Sequence, residues 1–317
     1  MKKTIRNGFV AALATGLALL AGPVAQAQSK DSLTIGVTLE PPHLDPTAGA
    51  AAAIDEIVYA NVFEGLTRID QNGAVRPQLA ESWTISDAGL VYTFNLKKGV
   101  TFHDGTAFDA DDVVFALDRA RAEDSVNAQK SLFGAIDRVE AVDPGTVRIT
   151  LSRPEGRLLF NLGWGDAVIV APESAANNKA APIGTGPFKF DRWVRGSQVR
   201  LVAVDADRPI QKVTFRFVPD PTAQVAALRA GDIDAVANLQ APEAVIAFQD
   251  DPNFEVWIGS TEGETIIAIN NARPPLNDVR VRRALAHAID RLTIIDGAMF
   301  GFGTPIGTHF APHHPAY

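Results

Sequence analysis

The stretch Pro77-Gln78-Leu79-Ala80-Glu81-Ser82-Trp83, together with Tyr92–Gly105 (YTFNLKKGVTFHDG), decides how the middle of this chain folds. Trp83 and Ile85 alternate with polar residues, Asp87-Ala88-Gly89 offers a turn, and Tyr92, Phe94 and Leu96 return on one inner face. A period of two on both sides of a Gly-containing turn predicts a β-hairpin. The period then changes. Phe108-Asp109-Ala110-Asp111-Asp112 opens a helix with Asp109 as N-cap and Asp112 in the first turn, and Val113, Ala116, Leu117 and Ala120 share one face.

Working outward, a second hairpin is expected. Val139 and Ala141 lead into Asp143-Pro144-Gly145-Thr146, and Val147, Ile149 and Leu151 return. Strands are predicted at Phe188–Trp193, Val199–Val204 and Val213–Val218. Asp220-Pro221 starts a helix with Val225 and Leu228 facing inward, Gly231 stops it, and Ile233–Val236 leaves as a short strand. On the N-terminal side, Leu33, Ile35 and Val37 alternate as a strand. Ile54, Val58 and Val62 predict a helix that Gly65 terminates. Towards the other end, a strand at Thr265–Ile269 precedes Arg273-Pro274-Pro275. Asn277 then caps a helix carrying Val281, Leu285, Ala288 and Ile289. The pattern is that of an α/β protein with a hairpin-rich insert.

Composition narrows the functional classes. The 317 residues are 46% hydrophobic and 21% charged, which excludes a disordered or collagen-like chain. The absence of Cys excludes disulfide scaffolds, thiolate zinc sites, a cysteine nucleophile and a lipidated N-terminal Cys. Residues 1–27 read as a secretory signal: Lys2, Lys3 and Arg6, an apolar run from Phe9 to Ala21, then Ala25-Gln26-Ala27 at a cleavage register. The run is shorter than the ~20 residues a membrane span needs. Removing those three cations from 29 leaves 26 basic against 37 acidic residues, a net of −11. So acidic a surface argues against a nucleic-acid partner. Export without Cys or a lipid anchor points to the periplasm.

The candidate chemical groups have simpler readings. His43, His103, His287, His309, His313 and His314 show no helical zinc spacing, and the His309–His314 group reads as a solvated loop. His103-Asp104 resembles part of a catalytic pair, yet Asp104-Gly105 is ordinary turn chemistry. Gly184-Thr185-Gly186-Pro187-Phe188 mimics a phosphate loop but lacks the Lys and runs into a strand, so a tight approach of backbones explains its glycines better. Asp109–Asp112 serves a helix start and lacks calcium-loop spacing. The expectation is a binder with no catalytic residue, no metal ligand and no cofactor.

Five segments carry a family resemblance: Leu44-Asp45-Pro46; Phe63-Glu64-Gly65-Leu66; Pro77–Trp83 with Tyr92–Gly105; Ile183–Phe188; and Asn270–Asp290 with its PPLNDVRVRRAL. In this order they resemble family 5 periplasmic solute-binding proteins, the oligopeptide/dipeptide/nickel-binding class that feeds ABC importers. The resemblance implies a two-lobe clamp like that of type II periplasmic binding proteins, with an extra hairpin-rich α+β subdomain. Lobe I would take residues 28–66 and 182–267, the inserted subdomain 67–181, and the start of lobe II 268–317. Family members continue further, so a chain ending at Tyr317 is expected to be a fragment or truncated form with an incomplete second lobe. Ala203–Pro209 is also shorter than the aromatic-containing connection usual in the family.

The same resemblance implies a ligand, a peptide or related small solute, held in the cleft between the lobes and delivered to an inner-membrane ABC permease by a monomer. Its expected contacts are Thr38, Leu39, Glu40 and Pro41 after the first strand; Ile266, Ala268 and Asn270 on the crossing strand; and Trp164 from the insert. Glu40 is expected to meet a cationic group on the ligand, whereas Trp83 is assigned to core. A nickel or metal-chelate binder is the alternative within the class. A secreted hydrolase using His103, Asp104 or His309–His314 is the alternative outside it.

Overall fold

The computed structural model describes residues 30–261, 263–312 and 317. The expected signal segment and the His313-His314 pair lie outside the described residues.

Two sheets organise the molecule. The first contains β1 (Ser32–Val37), β8 (Phe188–Val194), β9 (Gln198–Ala203), β10 (Lys212–Phe217) and β11 (Ala235–Val236), in the order β11-β1-β10-β9-β8. β1 is parallel to β10 along its whole length, from Ser32 opposite Lys212 to Val37 opposite Phe217, and parallel to β11 on its other side. Strands β10, β9 and β8 continue antiparallel. The second sheet is the antiparallel set β4 (Ala80–Ser86), β5 (Val91–Leu96), β7 (Thr146–Leu151) and β6 (Ile136–Asp143), in the order β4-β5-β7-β6. A small hairpin, β2 (Thr67–Ile69) with β3 (Val75–Pro77), was not foreseen from the sequence.

The two predicted hairpins form at the predicted turns. Trp83 pairs with Phe94 and Ile85 with Tyr92, while Asp87, Ala88 and Gly89 all take positive φ in the connection. Tyr92, Phe94 and Leu96 are buried together with Val147, Ile149 and Leu151. Each such side chain contributes about 1.5–3 kcal/mol by leaving water. Ile85 is the exception. It is half exposed because β4 is an edge strand with little packed on its outer end, and Trp83 is only partly buried against the core. Helix α2 (Ala110–Arg121) covers the sheet with Val113, Ala116, Leu117 and Ala120. Its start is a full capping box: Asp109 accepts from Asp111 N and Asp112 Oδ2 accepts from Asp109 N.

Helix α1 (Ala52–Val58) ends earlier than expected. Tyr59 turns extended, and Val62 packs from the following loop. Gly65 therefore does not terminate a helix. A Cβ there would lie 2.8 Å from the carbonyl oxygen of Leu162 and 2.9 Å from that of Thr67, so close passage of backbones requires the glycine. After the short α3 (Leu158–Asn161), α4 (Pro221–Ala230) starts on Asp220, whose carboxylate accepts from Ala223 N, and stops on Gly231 at φ 74°. Val225 and Leu228 are only half buried in α4; its buried side chain is Gln224.

Beyond α4, one element was unforeseen and two expectations fail. Helix α5 (Pro242–Gln249) was not foreseen. Thr265–Ile269 is not a strand: no partner strand lies beside it among the described residues, and β-propensity forms no ladder alone. Helix α6 (Val279–Ala288) is capped by Asp278, which accepts from Arg280 N, and not by Asn277. A carboxylate one residue nearer the first turn reaches the orphan N–H groups better. Helix α7 (Arg291–Ala298), capped by Asp290, follows.

Candidate functional site

In open sheets with parallel strands, ligands gather where connections leave the carboxyl ends of the strands. Here that edge is the end of β11, β1 and β10, with β1 in the middle and chain leaving in both directions. Thr38–Pro41 leaves β1 there, and Val218–Asp220 leaves β10 to begin α4. Gln224, 1% exposed, bridges the two: its Nε2 donates to Val218 O at 2.8 Å and to Thr38 Oγ1 at 3.3 Å. Its Oε1 is buried with no hydrogen-bond partner among the described residues. Leu39 projects outward at 63% exposure, and Pro41 is buried beneath the loop.

Glu40 is already engaged. It accepts from Trp193 Nε1 at 3.0 Å, and from Gly196 N with both carboxylate oxygens, at 3.1 and 3.0 Å. The Arg195 guanidinium stacks 3.3 Å above the Trp193 ring and donates to Pro42 O. The turn between β8 and β9 thus clasps the loop after β1. Sequence reading missed Trp193, Gly196 and Gln224. The only signals were an Arg-Gly turn between strands and an amide side chain on an otherwise apolar helix face.

Trp164 lies elsewhere, 39% exposed, with its ring edge-on to Phe160 at 6.4 Å. Ile266, Ala268 and Asn270 are all exposed, Ile266 at 70%, and Asn270 Oδ1 accepts from Ala272 N at 3.1 Å. Among the described residues, no hydrogen bond or ring contact ties Trp164 or these three to Thr38–Pro41. The structure thus brings together four of the eight expected contacts, contiguous in sequence, and leaves the other four apart.

The glycines of Ile183–Phe188 serve a crossing of backbones. A Cβ on Gly184 or Gly186 would overlap the carbonyl oxygens of Val62 and Asn61, while Gly186 N donates to Val62 O and Phe188 N to Asn61 O. His103 completes the junction. Its N–H donates to Gly184 O, its Nε2 lies 2.8 Å from Gly186 O, and Gly184 N donates to its Nδ1 at 3.4 Å. A carbonyl can only accept, so Nε2 carries the proton and Nδ1 is the acceptor. This is the neutral ring, and burial lowers its pKa. Asp104 instead accepts from Thr106, so the two do not form a catalytic pair. Among the described residues, no three His, Asp or Glu side chains come close enough to hold a metal ion.

Residues 74–317 match the family described as bacterial extracellular solute-binding proteins, family 5 Middle. The glutathione-binding protein of Pectobacterium atrosepticum is 31% identical over 312 residues, covering 95% of this chain and 60% of that protein. Among solved structures, NikZ of Campylobacter jejuni in complex with Ni(L-His) superposes with a TM-score of 0.76 at 30% identity, over 87% of this chain and 56% of that one. The Helicobacter pylori periplasmic binding protein DppA, in complex with the peptide STSA, gives 0.78 at 27% identity, over 90% and 62%. This chain belongs to family 5 of the bacterial extracellular solute-binding proteins and has the fold of type II periplasmic binding proteins. It spans about 60% of the length of the curated relatives it matches.

Proposed function

We propose that this protein captures a small solute, in the first place a short peptide, in the periplasm and hands it to an inner-membrane ABC permease. The observation that carries the reading is the carboxyl edge of β11-β1-β10. There exposed Leu39 stands beside Thr38, and the orphan oxygen of Gln224 lies behind it. Relatives that bind glutathione and the peptide STSA support a peptide, and the Ni(L-His) complex of NikZ keeps a metal chelate as the second reading. Main-chain hydrogen bonding of an extended ligand, as an added strand, would suit the exposed 265–270 segment with Ile266, Ala268 and Asn270. In this reading residues 28–66 and 182–267 form one lobe, 67–181 its insert carrying Trp164, and 268–317 the beginning of the other lobe. Glu40 then shapes the loop and does not meet a ligand cation. The protein works as a monomer without catalysis.

Calorimetric titration of the full-length protein with two- to five-residue peptides tests this. Saturable binding is expected, and Leu39→Glu should weaken it by about tenfold or more, the ~1.4 kcal/mol of one lost apolar contact. Heat from a nickel–histidine chelate alone would move the ligand to the metal-chelate class. Peptide cleavage would overturn the binder reading.

A further inference from the structure

Asp55 on α1 and Asp166 in the turn Gly165–Ala167 form an acidic cluster that no part of the binding reading uses. The two segments touch: an added Cβ on Gly165 would lie 2.8 Å from Asp55 Cγ and 3.0 Å from its Oδ2. The Asp55 carboxyl therefore rests on the backbone one residue before Asp166. Asp166 is 7% exposed, and Asp55 Oδ1 and Asp166 Oδ1 are both buried with no hydrogen-bond partner among the described residues.

Among the described residues, no Lys, Arg or His forms an ion pair with either carboxyl. From α1 comes Tyr59, whose hydroxyl donates to Gly163 O; from β2 comes Arg68, which acts on Tyr59. Residues 46–48 and α2 pack on the turn from its other side. Of the charged groups there, Arg119 is paired with Asp45 at 3.3 Å and Arg121 with Asp118 at 2.9 Å, while Asp111 and Asp112 stand in the first turn of α2, where Asp112 accepts from Asp109 N. Asn127 Nδ2 donates to the Asp166 carbonyl at 2.8 Å, not to its carboxyl. Each carboxyl thus keeps one buried oxygen, Oδ1, without a donor among the described residues, and a proton suits such an oxygen because a neutral carboxyl has an O–H to give.

We propose that Asp55 and Asp166 hold a proton in the folded protein and form a pH-operated latch between α1 and the turn that carries Trp164. With the proton present, one carboxyl donates and the turn lies against α1. Once both ionise, two like charges in a poorly hydrated site push the turn away, and Trp164, two residues before Asp166, moves with it. In support, burial first and then the Asp166 charge raise Asp55 to about 6, and burial raises Asp166 to about 6. Any effect on ligand affinity rests on the role proposed for Trp164; the latch itself does not.

Tryptophan emission of the full-length protein, followed from pH 4.5 to 8.5, tests it. A step centred near pH 6 is expected, absent in Trp164→Phe and unchanged in Asp112→Asn, whose carboxyl is raised to a similar value at the start of α2. Asp55→Asn and Asp166→Asn each supply a permanent amide donor, so each should abolish the step or lower its midpoint by about one unit or more. No Trp164-dependent step, or a step that both variants leave in place, overturns the proposal. Should those variants fail to fold, carboxyl carbon NMR of Asp112→Asn decides. Two Asp midpoints above about 5 are expected, and none above that value overturns it.

Discussion

Glu40 and Trp193, 153 positions apart in sequence, are joined by a 3.0 Å hydrogen bond from the indole Nε1 to the carboxylate. With Gly196 N on the same carboxylate, this ties the loop after β1 to the turn between β8 and β9. The loop's position is thus set by the protein itself.

Glu40→Ala removes the acceptor for both N–H groups. Stability should fall by about 1–2 kcal/mol in urea denaturation, and the Gly196 amide should exchange with solvent markedly faster. Unchanged exchange at Gly196 would contradict the clasp.

Gly184→Ala and Gly186→Ala drive a methyl group into the backbone of Asn61 and Val62, which has no flexible side chain to give way. Each should cost about 2 kcal/mol or more. Alanine at Gly259 or Gly297, where nothing lies within 4 Å, should leave the unfolding midpoint nearly unchanged.

His103 gives acid sensitivity of a defined sign. Its folded pKa is lowered by burial, so the unfolded chain takes up a proton more readily than the folded one. The contribution to stability is full above the unfolded value of about 6.5 and is lost as pH falls below it. A proton on Nδ1 would also face the Gly184 N–H, donor against donor. Unfolding midpoints between pH 5 and 7 should therefore depend less steeply on pH in His103→Gln than in the wild type. The Asp55–Asp166 pair acts in the opposite sense, since raised carboxyl pKa values favour folding below about 6.

Asp45 is fully buried; it accepts from Thr47 N and Oγ1 and meets Arg119, which also donates to Thr47 Oγ1 at 2.6 Å. Arg119→Ala leaves the carboxylate without its cation and should cost about 1–3 kcal/mol. Asp45→Asn together with Arg119→Ala should recover part of that loss, which a double-mutant cycle measures.

The elements legible in the sequence were those whose partners are close by in the chain. The hairpins at Asp87–Gly89 and Asp143–Thr146 and the capping box of Asp109 each write their whole pattern within a few residues. The sheet order was not legible, because β1 pairs with β10 across 180 residues and nothing local marks that register. The strand expected at Thr265–Ile269 carried the right residue types but finds no ladder partner among the described residues. At the site, Thr38–Pro41 was found from its place after the first strand. The true partner of Glu40 was hidden, since a carboxylate's sequence neighbours do not reveal which distant N–H groups will meet it. His103 illustrates the reverse: it was read as a turn histidine beside Asp104, and its grip on Gly184 and Gly186 appears only in three dimensions.

Native mass spectrometry of the protein purified under non-denaturing conditions tests the central claim, capture of a small solute at the carboxyl edge of β1, most directly. The account predicts adducts whose masses and fragments are those of short peptides, displaced by added peptide and lost in Leu39→Glu. A protein that carries no adduct and takes up none from a peptide mixture, or whose peptide adducts are unaffected by Leu39→Glu, would contradict it.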